Sequence, residues 1–92
     1  MITDVEIGRR ARVIIARELA CPLRRLTDGA EFRRDLGADS LDLVAVPAAL
    51  EEEFGIRLTD AEVEFCQTVG TAIDVIRTKL ENRAGGAGRM VA

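Results

Sequence analysis

Residues 40–54 read SLDLVAVPAALEEEF, and Gly55 follows them. Within this stretch positions 43–50 are apolar without a break, so periodicity alone does not separate a buried strand from a buried helix. Composition and flanks decide. Ala45, Ala48 and Ala49 favour a helix, as do Glu51, Glu52 and Glu53, while Leu43, Val46, Leu50 and Phe54 recur at helical spacing along one face. The stretch is therefore predicted helical from about Ser40 to Phe54, with Gly55 as its stop. Pro47 falls inside it. A proline there withdraws the amide that would bond the Leu43 carbonyl, at about 3 kcal/mol or a bend.

Toward the N-terminus, Thr3-Asp4-Val5-Glu6 reads as a capping box that opens a first helix. Ile7, Ala11, Ile14, Ile15 and Leu19 form its apolar stripe, Arg9, Arg10, Arg12 and Arg17 lie mostly off it as a solvated face, and Pro22 ends it. Residues 23–36 lose the pattern and form a long loop with turn chemistry at Thr27-Asp28-Gly29, pinned to the core by Leu23, Leu26, Phe32 and Leu36. Toward the C-terminus, Thr59 or Asp60 caps a short helix through Cys66, and Thr68 caps a last one striped by Val69, Ile73, Ile76 and Leu80. Beyond Asn82 the glycine-rich run has no periodicity. The expected architecture is all-α: a four-helix domain over residues 1–82, with a long first loop and a short third helix, and a flexible tail over residues 83–92.

The chain has 92 residues, enough for one domain, and its three Phe with no Trp or Tyr make the core aliphatic and exclude aromatic stacking on bases. The absence of His removes the usual general base and the common zinc sets. Cys21 and Cys66 fit no paired motif and are read as free buried thiols. No apolar run approaches the roughly 18 residues of a membrane span, and no basic stretch leads an apolar one at the start. A soluble, cytoplasmic monomer is expected. The net charge of −3 divides unevenly, as +3 over residues 1–34, −8 over 35–66 and +2 over 67–92. The middle third is thus an acidic surface that attracts basic partners and repels nucleic acid, and the first third neutralises part of it within the fold.

Residues 35–42, DLGADSLD, place Ser40 between Asp39 and Asp42 at the start of that acidic helix. Ser and Asp are favoured at helix N-termini, so capping alone is one reading of all three. The segment also resembles the attachment motif of bacterial acyl carrier proteins, a similarity running from about residue 3 to residue 81 and strongest over 35–54, with Glu51-Glu52-Glu53-Phe54 in the same style. That resemblance implies a four-helix bundle that is not an enzyme. Its Ser40 would receive 4'-phosphopantetheine from coenzyme A through a phosphopantetheinyl transferase and carry acyl groups as thioesters, in fatty-acid or specialised lipid or polyketide-type biosynthesis. It further implies that Asp39 and Asp35 help position the metal-bound coenzyme A within the transferase. Leu43, Val46, Leu50 and Phe54 would line the acyl pocket. Leu41, Asp42, Val44, Ala48 and Glu51 would form the face that docks on basic patches of acyl-transfer or synthase enzymes.

Three departures from the family pattern point to a specialised carrier: Pro47 within the helix, Ala45 where a Glu is usual, and Ala48 where a Met is common. The competing readings are an unmodified acidic interaction module, in which Ser40 only caps, and an aminoacyl or peptidyl carrier, whose serine is usually followed by residues other than Leu41-Asp42. No metal site is expected, since the acids around Asp35, Asp39 and Asp42 lack the spacing and closing Glu of a calcium loop.

Overall fold

Thr3 opens the first helix, α1 (Asp4–Leu19), by accepting the Glu6 amide on its hydroxyl at 3.1 Å. The return half of the expected capping box is replaced by a pair between the Glu6 carboxylate and Arg9, one turn on, at 2.6 Å. The helix stops at Ala20, just ahead of Pro22, with φ 54° and its N–H turned back to the Ala16 and Arg17 carbonyls. A single 3₁₀ turn (Leu23–Arg25) follows. The second helix, α2 (Ser40–Phe54), keeps the predicted bounds and stops at Gly55, whose φ of 64° favours glycine. It continues past Pro47, which removes one bond without ending the helix. Thr59, of the two candidate caps, starts α3 (Asp60–Phe65): its hydroxyl accepts from the Glu62 amide at 3.1 Å and its own amide donates to Glu62 at 2.8 Å. Thr68 and Thr71 exchange the equivalent bonds at the start of α4 (Val69–Val91).

The structure, a computed structural model, describes the backbone of residues 2–91 and the side chains of residues 2–82. The backbone of α4 continues to Val91, past the boundary at Asn82 read from the sequence. The expected flexibility of residues 83–92 lies outside the described side chains. The fold is an all-α four-helix bundle in which α1 packs on α2 and α4, and α3 on α4. Its core joins Ile14 and Ile15 of α1, Val46 and Leu50 of α2, and Val69 and Ile76 of α4, all buried. Each such side chain contributes roughly 1.5–3 kcal/mol. Because α3 buries no residue fully, it is the least firmly held helix. Among the described residues no helix is long and apolar enough to cross a membrane.

The arginines of α1 are not all solvated, contrary to the sequence reading. The Arg10 guanidinium donates to Glu53 Oε2 at 2.7 and 3.0 Å and lies 5.0 Å over the Phe54 ring. Arg12 donates to the Leu26 carbonyl at 2.9 Å and pairs with Asp28. Both reach across to other elements, as a long side chain does when its stem lies along an apolar surface. Arg10 thereby supplies the internal neutralisation of the acidic middle that the charge distribution predicts.

The long loop is pinned through Leu26 and Phe32, both buried, and half-buried Leu36. Leu23 is 53% exposed and pins nothing, whereas Leu26, just past the 3₁₀ turn, is buried. The 27–30 turn forms as expected, with the Ala30 amide donating to the Thr27 carbonyl at 3.0 Å. The loop is then tied to the start of α4: the Val69 amide donates to the Ala30 carbonyl at 3.0 Å and the Gly70 amide to the Asp28 carbonyl at 2.8 Å. A Cβ at position 70 would lie 2.9 Å from that Asp28 oxygen, so the close approach requires glycine.

Candidate functional site

Asp39, not Ser40, caps α2. Its Oδ1 accepts from the Asp42 amide at 2.9 Å, and Asp42 Oδ2 accepts from the Asp39 amide at 3.1 Å, a closed capping box built from two aspartates. Ser40 is therefore the first residue inside the helix. Its side chain is exposed and, among the described residues, makes no hydrogen bond. The sequence allowed Ser40 itself to be the cap, and the structure assigns that task to its neighbours.

Asp35 has a structural task in the preceding loop. Its Oδ2 accepts from the Glu31 amide at 2.8 Å and its main-chain carbonyl accepts from Arg25 at 2.7 Å. The bond from the Glu31 amide holds its carboxyl below the usual carboxylate range, and the nearby Arg34 and Arg25 add to this against a smaller desolvation effect. Gly37, at φ 69°, then turns the chain so that the Ala38 amide meets the Phe32 carbonyl at 2.8 Å and Ser40 arrives at the helix start.

A cavity of about 430 Å³ opens between α2, α3, α4 and the long loop, its wall reaching Ala38 and Asp42, two residues to either side of Ser40. Leu43, Val46 and Leu50 line it. Phe54 does not. It lies on the same side of α2 but roughly 16 Å along the helix from Leu43, past the last α2 residue on the wall, Leu50, and is buried there beneath Arg10. Pro47 takes its place on the wall, joined by Leu58, Val63 and Cys66, which sequence reasoning missed. Pro47 was accessible to it, lying four residues beyond Leu43. The others come from distant segments. Cys21 and Cys66 are free and half-buried, and burial pushes the Cys66 thiol up, with Glu62 adding to the shift.

The outer face of α2 is more apolar than its sequence suggests. Leu41 and Val44 are 79% and 71% exposed, and Ala48 is exposed beside them. Asp42 is occupied in the capping box. Glu51, expected on this face, turns aside to accept the Leu58 amide at 2.7 Å and so secures the link to α3. No group of side chains among the described residues could hold a metal ion.

Residues 9–76 match the phosphopantetheine attachment site family. The chain belongs to the acyl carrier protein family. It is 40% identical over 70 residues to an acyl carrier protein of Saccharopolyspora erythraea, a match covering 76% of this chain and 74% of that one. Its fold is similar to the solved acyl carrier protein of Enterococcus faecalis, with TM-score 0.72 and 31% identity over 85% of this chain and 99% of the other. As an acyl carrier protein the chain is a non-catalytic carrier, and its prosthetic group is 4'-phosphopantetheine. The residues present fit that group. A free hydroxyl beside the Ser40 and Leu41 amides, which the capping box does not use, suits an attached phosphodiester, and the cavity offers a largely apolar volume to what hangs from it. Acyl carrier proteins work with phosphopantetheinyl transferases and with acyl-transfer or synthase enzymes.

Proposed function

We propose that Ser40 is the attachment residue and that the carrier holds acyl groups as thioesters for a dedicated pathway, not for bulk fatty-acid synthesis. The observation that carries the assignment is the Asp39–Asp42 box, which leaves Ser40 at the helix start with no structural duty. When bound, phosphopantetheine supplies the thiol on which acyl groups ride. The chain's own residues do the rest. The Ser40 and Leu41 amides and the positive end of the α2 dipole stabilise the phosphodiester charge, typically by about 0.3–1 kcal/mol. Leu43, Val46 and Leu50 shelter apolar cargo from water. Leu41, Val44 and Ala48 offer partners an apolar strip edged by Asp39 and Glu52. Asp39, Asp42 and Asp35 hold the segment that enters the transferase in shape.

The dedicated-pathway reading rests on the thin acidic docking face: Ala45 and Ala48 carry no charge, and Glu51 is turned toward Leu58. One experiment tests both parts. The protein and Ser40→Ala are incubated with coenzyme A, magnesium and a broad-specificity phosphopantetheinyl transferase, then weighed intact. One phosphopantetheine on the wild type alone is expected; equal labelling of Ser40→Ala, or none on either with the fold intact, overturns the assignment. Offered to general fatty-acid enzymes, the loaded wild type should turn over slowly and Ala45→Glu faster. Full-rate turnover of the wild type rejects the dedicated pathway.

A further inference from the structure

The missing bond at Pro47 lies on the cavity wall. Leu43 and Pro47 both line the cavity and are four residues apart, so the carbonyl that loses its donor sits between two lining side chains. The wall around it includes Val46, Leu50, Val63 and Ile76, with charged residues at Asp42 of α2, at Glu64 of α3 and along the loop side. A buried carbonyl that nothing bonds is costly, and low local polarity strengthens any bond it does receive. Leu43 and Pro47 lie three and seven residues beyond Ser40, or roughly 5 and 10 Å along the helix at 1.5 Å per residue. A group tethered to Ser40 and folded into the cavity passes this point.

We infer that the Leu43 carbonyl, released by Pro47, is a hydrogen-bond acceptor within the cavity for an N–H or O–H donor brought in by the prosthetic arm or its cargo. The inference rests on Ser40 as the attachment residue. An amide of the arm and a hydroxyl on the acyl chain offer the same donor chemistry. Pro47 thus makes the cavity selective: a cargo with a donor at this depth is held more firmly than its saturated counterpart, whose methylenes leave the carbonyl unanswered.

Leu43-Val44 is the only Leu-Val pair in the chain. Carbonyl-¹³C leucine with ¹⁵N valine therefore isolates the Leu43 carbonyl in a single NMR signal. Wild type and Pro47→Ala are prepared in three states, each verified by intact mass: the bare arm, a hexanoyl cargo and a 3-hydroxyhexanoyl cargo. Pro47→Ala restores the internal donor and should fold at least as well. In the wild type the signal should move relative to the unmodified chain. A shift already present with the bare arm assigns the donor to the arm, and one that appears only with the hydroxylated cargo assigns it to the cargo. In Pro47→Ala the signal should stay put. If the cargo is the source, the hydroxylated thioester should hydrolyse about three- to tenfold more slowly than the saturated one in the wild type, and equally fast in Pro47→Ala. A chain that accepts no arm overturns the reading of Ser40 and this inference with it. A chain that loads fully, yet shows no shift in any state or the same shift in both proteins, overturns the inference alone.

Discussion

At its first turn α2 satisfies itself, with Asp39 and Asp42 closing a box only three residues wide, whereas at its last turn it is clamped by another helix, through Arg10 on Glu53 and Phe54. The first arrangement is local and leaves Ser40 exposed. The second spans 43 residues of chain and buries Phe54 to 7% exposure. One helix thus has an end that stays open without help from its neighbours and an end that fixes it to the bundle. A carrier needs both. The open end must enter partner enzymes, and the closed end must keep the cavity walls aligned while it does.

Truncating the closed end should have the larger effect. Phe54→Ala removes a buried ring and the surface under Arg10, and should destabilise the bundle by about 3 kcal/mol or more, read as a lower urea midpoint. A loss under about 1 kcal/mol, well below the usual range for a buried ring, would mean that the clamp does not hold α2. At the open end, Asp39→Ala should cost about 1 kcal/mol as a lost cap, and Ser40→Ala less than about 0.5. If the two were reversed in the same urea titrations, Ser40 would be the cap and the division between the ends would collapse.

The smallest effect belongs to the loop that delivers Ser40. Asp35 has its carboxyl held below the ordinary range in the folded state, so its contribution is present above the unfolded value and is lost as pH falls through the folded one. Asp35→Asn should therefore lower stability slightly at neutral pH and leave it nearly unchanged in strong acid, flattening the acid side of the stability curve. Thermal melts from neutral to strongly acidic pH would show this. A variant whose acid slope matches the wild type would show that the Glu31 contact does not persist in solution.

The helices, and most of their ends, were legible in the sequence because what sets them acts over three or four residues: Thr3 on Glu6, Thr59 on Glu62, Gly55 after Phe54. So was the family, carried by the motif around Ser40. Four features required the tertiary structure: Phe54 leaving the cavity for Arg10, Glu51 turning to Leu58, Leu58, Val63 and Cys66 completing the wall, and Gly70 meeting Asp28. A helical stripe spans more than one neighbour, and its period does not say which neighbour each side chain meets. Carboxylates and guanidiniums have long arms and choose among partners that only the packed chain brings within reach. The choice between Asp39 and Ser40 as cap is the instructive case. Both are chemically able, and the backbone decided between them: Asp39 is extended, at φ −96° and ψ −174°, while Ser40 is already inside the helix.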